Sequence, residues 1–364
     1  MLKILYVSPE NTVGTLSTWK KYHESRGNKC DFITFYKTPN EFDSGICLNL
    51  PLISSDKFYR NLRSLYYKNT KNSKDEYSVK SGYPPTWEAN SFFEKLFFEF
   101  RDFAWSFKVE KAVRNLNLFD YDIYHFEWGL DFYRNANFAS RLKKLNKKII
   151  CTYHGQDMRT RGVIKDIDNI SDLNFTSELD LLYKHPNLKY MFLPISISST
   201  LSYKKTKQKI KICHSPTDRY YKGSNHIIDI CEKIALEKPD VEFKLIENMS
   251  HHEVIKIKKS CDILIDQIGD SGGWGYGMNS VESMKLGLCC MSEINTKCNQ
   301  FFRGHPFVNI NKDNLDLSLR KLIKNPLLID QYKQKSIDWV KKRHCVENVG
   351  KFLYENYNGI LNES

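Results

Sequence analysis

One stretch in the second half of the chain decides the fold: Cys261–Met291, CDILIDQIGDSGGWGYGMNSVESMKLGLCCM. Its apolar run Asp262–Asp266 predicts a β-strand, and the glycines that follow predict a loop. A helix is expected to begin near Asn279, and Leu288–Ser292 predicts the next strand. Free amides at such a helix start, with the positive end of the helix dipole, favour an anion that glycines allow to approach closely.

The same alternation of strand and helix extends through most of the chain. Runs of this kind predict parallel sheets wrapped by helices. The sequence predicts further strands at Leu2–Val7, Cys30–Tyr36, Ile123–Phe126, Lys148–Tyr153, Lys209–His214 and Val241–Ile246, and helices at Thr15–Ser25, Phe138–Leu145, Asn225–Leu236, His252–Ser260 and Val346–Leu361. We therefore expect an α/β protein of two Rossmann-like domains that face each other across a cleft, with ligands at the carboxyl ends of the strands.

Length and composition agree with this division. A chain of 364 residues suggests two domains, and 41% hydrophobic with 27% charged residues is typical of a globular protein. No apolar run approaches the ~20 residues that cross a bilayer, and the first residues predict a strand and no targeting segment. Ten cysteines without a C-x-x-C pair predict reduced thiols, a cytoplasmic location and no structural metal.

The net charge of +12 favours anionic partners, among which nucleic acid, anionic lipid and a diphosphate all qualify. An insertion at about 37–117 is the irregular part, with a basic excess in Asp56–Lys80. Its segment Glu88–Val113 spaces large apolar side chains as a helix does: Phe93, Leu96, Phe97, Phe100, Phe103, Ala104 and Phe107. We expect this stripe to pack in the core, and the alternatives are an acceptor-site wall or a surface that contacts the membrane.

The pattern Gly275-Tyr276-Gly277-x4-Glu282-Ser283-Met284-x2-Gly287 resembles the signature of the large retaining glycosyltransferase family numbered four, which has the GT-B fold. The resemblance implies that Glu282 binds the ribose of a nucleotide-sugar donor. It also implies donor contacts from the residues at the helix start, which are Gly277, Met278, Asn279 and Ser280. The first of the family's two glutamates falls on Trp274, which is therefore a candidate sugar or acceptor contact.

A second segment, Lys211–Ser224, is similar to the strand and loop that end in Lys-Gly in this family. There an arginine and a lysine hold the donor diphosphate. The resemblance assigns this role to Arg219 and Lys222.

The first half resembles the family less closely. In Ile149–Arg159, IICTYHGQDMR, the resemblance makes His154 the candidate catalytic residue, in contact with the donor sugar. Gly14, in the loop after the first strand, is a candidate donor contact. Further candidate sugar or acceptor contacts near strand ends are Asp157, Arg159, His125 and Glu127.

The resemblance implies transfer of a sugar from a nucleoside-diphosphate sugar to a glycan or lipid-linked acceptor, with retention of configuration and without a metal or other cofactor. Surface polysaccharide or glycoconjugate synthesis is the expected setting, in the cytoplasm or at the inner face of the membrane. Nucleic acid is not an expected partner, since no nucleic-acid-binding module is recognisable. The alternatives are a catalytically impaired sugar-nucleotide-binding partner subunit and a sugar-nucleotide epimerase.

The expected domains are an acceptor domain at 1–195, a donor-nucleotide domain at 196–345, and a final helix at 346–364 that packs back toward the first domain.

Overall fold

The computed structural model describes residues 1–38, 42–52, 84–155, 157–197 and 201–362. The chain forms two compact units. Unit 1 comprises Met1–Met191 and Leu353–Ser364, and unit 2 comprises Phe192–Phe352. Each contains a parallel sheet with its own hydrophobic core.

The described part of unit 1 contains a parallel sheet of seven strands in the order β3-β2-β1-β4-β5-β6-β7. Buried apolar runs form these strands, since both faces of a parallel sheet are covered. In register, Tyr6 of the first strand lies opposite His125 of the fourth. The strands are β1 (Lys3–Ser8), β2 (Lys29–Thr34), β3 (Ile46–Cys47), β4 (Ile123–Glu127), β5 (Lys148–Tyr153), β6 (Leu173–Thr176) and β7 (Leu188–Tyr190).

The helices of unit 1 cover this sheet through apolar side chains such as Leu16, Val109 and Phe138, all of which are buried. A π-helical turn occupies Asp157–Arg161, and a 3₁₀ turn occupies Leu179–Tyr183. The α-helices are α1 (Thr15–Ser25), α2 (Phe92–Asn115), α3 (Asn137–Lys144) and α4 (Lys165–Asp168).

Unit 2 contains, within its described residues, a parallel sheet of five strands in the order β12-β11-β10-β8-β9. In register, Ile265 of the central strand lies opposite His214 on one side and Met291 on the other. The strands are β8 (Ile210–His214), β9 (Val241–Leu245), β10 (Ile263–Ile265), β11 (Cys289–Ser292) and β12 (Val308–Asn309).

The helices of unit 2 pack on both this sheet and each other. They are α5 (Arg219–Lys222), α6 (Ser224–Glu237), α7 (His251–Lys258), α8 (Met278–Lys285), α9 (Thr296–Phe301), α10 (Leu315–Ile323) and α11 (Pro326–Trp339). A π-helical turn at Val340–His344 precedes α12 (Val346–Asn362). The last residues of α12 belong to unit 1, where Tyr354 and Tyr357 bond to His23 and His125.

The aromatic stripe of α2 is exposed, so the expectation that it packs in the core is wrong. The exposed side chains of the predicted stripe are Phe93, Leu96, Phe97, Phe100, Phe103 and Phe107. The helix buries a different face, through Arg101, Trp105, Val109 and Val113. Two stripes at helical spacing share this helix, and only one of them faces the core. The basic part of the insertion, 56–80, lies outside the described residues.

In the described part of the chain, no helix is both long and apolar enough to cross a membrane. The ten cysteines are all free thiols, of which Cys47 and Cys345 are partly exposed and the others are buried.

Candidate functional site

The order of strands in unit 2 locates a ligand-binding edge. From β8 the chain passes outward to β9 and then returns to β10 on the other side of β8. Open α/β sheets bind ligands outside the carboxyl ends of the strands at such a reversal. The edge therefore lies where β8 ends at His214 and β10 ends at Ile265.

Lys222 and Asp266 lie at this edge. The Lys222 ammonium donates to Asp266 Oδ1 at 2.9 Å and to Gln267 Oε1 at 2.8 Å. Asp266 is fully buried, whereas the Lys222 side chain keeps 15% of its surface exposed. Burial would raise the pKa of Asp266, but the Lys222 charge and three hydrogen bonds hold that pKa below its ordinary value. The carboxylate therefore stays ionised and keeps the ammonium in place.

Asp266 also fixes the start of helix α8. Asn279 Nδ2 donates to Oδ1 at 2.9 Å, and Ser280 Oγ donates to Oδ2 at 2.6 Å. One buried carboxylate thus joins the lysine after β8 to the first turn of α8. We call Lys222, Asp266, Gln267, Asn279 and Ser280 the Lys222 cluster.

The amino end of α8 is open to a ligand. No side chain among the described residues caps it, and the first amides of a helix have no acceptor within the helix. Gly277 precedes the helix with φ −121°, and a Cβ built there would meet no atom within 4 Å. An anion can approach this backbone from the open side, with Met278 as the first residue of the helix.

Glu282, one turn into α8, is held by a histidine and a lysine. His251 Nε2 lies 2.6 Å from its Oε1, and Lys258 Nζ lies 3.6 Å from its Oε2. Lys258 is itself buried and donates to Asn279 Oδ1 at 2.5 Å. The carboxylate is thereby connected through Lys258 to the Lys222 cluster.

Arg219 and Trp274 have partners outside the Lys222 cluster. The Arg219 guanidinium donates to both carboxylate oxygens of Glu247, at 2.8 and 2.6 Å, in an exposed pair. Lys297 Nζ lies 5.0 Å from the centroid of the Trp274 ring, within the range of a cation–π contact.

In unit 1 the corresponding reversal lies between β1 and β4, because β2 and β3 are on one side and β5 to β7 on the other. Next to it, Glu127 ends β4 and His154 follows β5. Glu127 Oε2 lies 2.5 Å from His154 Nε2. Burial would lower the pKa of His154, but the hydrogen bond and charge of Glu127 raise it above its ordinary value. We call these two residues the strand-end pair.

Asp157 and Arg159 shape the turn after β5. Asp157 accepts backbone N–H bonds from His154, Gly155 and Met158 at 2.8, 2.9 and 2.7 Å. Arg159 donates to Asp180 at 2.6 and 2.7 Å and to Glu178 at 2.7 Å. Asp157 thus holds the backbone of His154, and the imidazole of His154 lies against Glu127.

His125 lies in the interior of unit 1. Its Nε2 is 2.5 Å from the Tyr357 hydroxyl, and its ring stacks on Tyr6 with centroids 4.3 Å apart. Burial lowers the pKa of His125 well below its ordinary value, so the ring stays neutral.

Gly14 precedes α1 with φ 73°, a conformation that favours glycine.

The sequence indicated Lys222, Asn279, Ser280 and Glu282, and the structure brings the first three together around Asp266. Asp266, Gln267, Lys258 and His251 were not predicted. Asp266 and Gln267 have one local signal, since two polar residues end an apolar strand just before the glycine loop. No group of three or more His, Cys, Asp or Glu side chains in the described part of the chain could hold a metal ion.

No protein-family model and no curated protein sequence matches the chain. Solved structures of similar fold include a sucrose-phosphate synthase from Thermosynechococcus elongatus, with 12% identity, a TM-score of 0.59 and 100% of both chains covered. HepE from Anabaena in complex with UDP gives 10% identity and a TM-score of 0.57, covering 98% of this chain and 100% of the other.

The pneumococcal O-GlcNAc transferase GtfA, in complex with UDP and GlcNAc, gives 11% identity and a TM-score of 0.56, with 99% of both chains covered. At such identities the likeness concerns the fold. The chain has the two-domain GT-B fold found in these glycosyltransferase structures.

Proposed function

We propose that the protein is a glycosyltransferase that moves a sugar from a nucleoside-diphosphate sugar to a glycan or lipid-linked acceptor. The observation that carries the proposal is the Lys222 cluster beside the uncapped start of α8. It supplies a fixed ammonium, free backbone amides and an open approach at Gly277. That combination suits a diphosphate, whose charge increases when it leaves the sugar.

Two of the three Lys222 N–H groups are used by Asp266 and Gln267 in the contacts described above. The third is directed by these two bonds and is proposed to donate to a diphosphate oxygen. A hydrogen bond to a charged group contributes about 1.5–3 kcal/mol. The Lys222 contact alone is therefore worth roughly 10- to 100-fold in affinity.

Glu282 is proposed to accept the ribose hydroxyls. Its carboxylate is oriented by His251 and Lys258, and each oxygen has a second lone pair for a ligand hydroxyl. Arg219 is proposed as a second diphosphate contact, which would require it to exchange Glu247 for the ligand. Two similar structures contain UDP, so UDP is the first nucleotide to test.

Four further features are proposed from the family resemblance alone. They are retention of configuration, activity without a metal ion, a role in surface polysaccharide or glycoconjugate synthesis, and a cytoplasmic location. The strand-end pair is proposed to contact the transferred sugar through His154.

A second candidate function is that of a sugar-nucleotide-binding partner subunit with impaired catalysis. The observation that favours it is Trp274, which stands where the resembled family has a glutamate and lies against Lys297. Product analysis separates the two functions, because a transferase extends an acceptor and a binding subunit retains the intact donor.

Ligand-induced thermal stabilisation tests the proposed function. UDP, GDP, CDP and their sugars are added to the wild type, to Lys222→Met and to Lys211→Met. Lys211 lies near the amino end of β8, at the opposite edge of the sheet, and is the matched control. At 100 times Kd a ligand stabilises the folded protein by about 2.7 kcal/mol. One nucleotide should stabilise the wild type and Lys211→Met, and Lys222→Met should lose most of that shift relative to its own baseline. Equal shifts in all three proteins would refute the proposed site.

We also propose that the exposed stripe of α2 contacts the surface of an anionic membrane. Phe93, Phe100 and Phe107 are all more than 60% exposed, and a patch of this size on one helix is typical of an interaction surface. Lys111 and Arg114 continue the same helix and are exposed, and the chain carries +12. Aromatic and basic side chains together favour the interface of anionic lipids.

Co-sedimentation with phosphatidylglycerol-containing vesicles at low salt tests this contact. Phe100→Ser with Phe103→Ser should reduce the bound fraction several-fold, because each change removes an exposed ring from the lipid interface. The control is Leu236→Ser, an exposed apolar residue of unit 2. A wild type that does not sediment with the vesicles would refute the membrane contact.

A further inference from the structure

The turn that follows β4 has an unusual backbone. Trp128 and Gly129 both have positive φ, at 66° and 55°. The N–H of Leu130 donates to Glu127 O at 3.3 Å, which closes a tight turn with these two residues at its centre. Positive φ at both central positions is the pattern of a type I′ turn, where Asn-Gly is usual. A bulky residue there is an outlier, and such strain persists where the surroundings impose it.

The surroundings of the turn impose this conformation. Arg161 Nη2 donates to Trp128 O at 2.5 Å. A Cβ at Gly129 would lie 2.4 Å from the ring of Tyr153, so the turn rests directly on a buried side chain. The backbone of Trp128 is therefore fixed, while its side chain remains partly exposed.

The Trp128 ring lies beside the strand-end pair. Its centroid is 5.9 Å from that of His154, at an interplanar angle of 58°. The His154 side chain keeps 27% of its surface exposed, and Glu127 keeps 8%. An aromatic ring, an imidazole and a carboxylate thus share the carboxyl ends of two adjacent parallel strands, where open α/β sheets bind ligands.

These three groups match the chemistry of one ligand class. A pyranose presents C–H groups on its ring faces and hydroxyl groups around its rim. An indole offers an apolar, electron-rich face to the C–H groups. A carboxylate accepts hydrogen bonds from hydroxyls, and an imidazole can donate or accept. A strained turn that holds tryptophan where asparagine would be relaxed is explained if the ring is needed there.

We propose that Trp128 is the stacking platform of a pyranose-binding subsite, with Glu127 and His154 as the hydroxyl contacts. The proposal rests on the proposed function for its biological meaning. The sugar can be the transferred hexose of the donor or a sugar unit of the acceptor, and both present the same chemistry to the site.

The test uses two substitutions at one position. Trp128→Asn removes the ring and introduces a residue that tolerates positive φ. Trp128→Phe retains an aromatic ring. In the acceptor arm of the experiment, saturation-transfer NMR measures the binding of the methyl glycosides of glucose, galactose and N-acetylglucosamine. In the donor arm, calorimetry measures the affinities for UDP and the matching UDP-sugars.

For an acceptor sugar, Trp128→Asn should weaken one glycoside about tenfold and leave the UDP-sugar unchanged. If the sugar belongs to the donor, the wild type should bind the UDP-sugar more tightly than UDP, and Trp128→Asn should bind the two with similar affinity. In either case Trp128→Phe should restore most of the affinity, Tm should not fall in Trp128→Asn, and the NMR titration of His154 should persist. A titration that persists shows that the strand-end pair is intact.

The proposal is overturned if Trp128→Asn changes neither arm, or if it weakens bare UDP as much as the UDP-sugar, because the ring would then stack on a base. Loss of His154 titration together with a fall in Tm would also overturn it, because Trp128 would then be a packing residue. If no nucleotide binds at all, the proposed function fails, while the glycoside arm still decides the subsite.

Discussion

Each unit places a carboxylate and a basic group near the carboxyl ends of two adjacent parallel strands, and in both units the carboxylate is the more deeply buried member, but the basic group differs. In unit 2 the carboxylate of Asp266 is fully buried and the ammonium of Lys222 extends from it toward solvent. In unit 1 the more exposed member of the strand-end pair is the imidazole of His154. Lysine remains charged throughout the physiological range, whereas histidine changes its charge near neutrality. One sheet edge thus suits a permanent anion, and the other suits hydroxyl groups and proton transfer.

Removing the buried carboxylate of unit 2 should have the largest effect on stability. Asp266→Ala leaves Lys222 without its ion partner and removes the acceptor of Asn279 and Ser280. Loss of one partner from a buried pair costs about 3 kcal/mol or more. Urea unfolding measures the change, with Asp270→Ala as an exposed control in the same loop, expected within about 0.5 kcal/mol. Equal destabilisation by both variants would show that Asp266 does not organise the site.

Two glycines near the Lys222 cluster should respond in opposite ways to alanine. Gly223 has φ 62°, and a Cβ there would lie 2.5 Å from Ile268 O. Gly223→Ala should therefore destabilise unit 2 by roughly 2 kcal/mol. Gly277 has an ordinary φ and open space around a Cβ, so Gly277→Ala should leave the urea midpoint unchanged. A destabilised Gly277→Ala would mean that this space is filled in the free protein.

A smaller destabilisation than that of Asp266→Ala or Gly223→Ala is expected in unit 1, and it should depend on pH. Because the folded pKa of His154 is raised, its stabilisation is present below its ordinary pKa and is lost as pH rises through the folded value. Glu127→Gln should lower the NMR titration midpoint of His154 and remove about 1 kcal/mol at pH 5.5, with less effect at pH 8.5. Glu110→Gln, which removes a carboxylate bonded to Arg141, is the control and should leave the His154 midpoint unchanged. An unshifted midpoint in Glu127→Gln would contradict the pairing.

Much of the fold is determined by local patterns that the sequence displays. The helix Thr15–Ser25 and the strand Lys148–Tyr153 have the predicted bounds, because glycine or a polar turn ends each apolar run. The aromatic stripe of α2 was predicted wrongly because two stripes with similar spacing lie on one helix. Periodicity detects a stripe but does not say which one faces the sheet.

The candidate site was predictable only where a motif marked it. Lys222 and Asn279 lie in segments that resemble a known signature, so the sequence alone indicated them as donor-binding candidates. Asp266 looks like the end of a strand, and it meets Lys222, 44 positions earlier, only because β8 and β10 are neighbours in the sheet. The strained φ of Trp128 likewise has no local signature. Side-chain partners of this kind depend on strand order, which no single segment specifies.

The central claim is that unit 2 holds a nucleoside diphosphate at the start of α8, against Lys222. Calorimetric titration of UDP, GDP and CDP into the wild type and Gly277→Ala tests it most directly, because the added methyl group changes the ligand space and little else. We predict that one nucleotide binds the wild type and binds Gly277→Ala at least about tenfold more weakly. Equal affinity for both proteins, or no binding of any of the three nucleotides to the wild type, would contradict the claim.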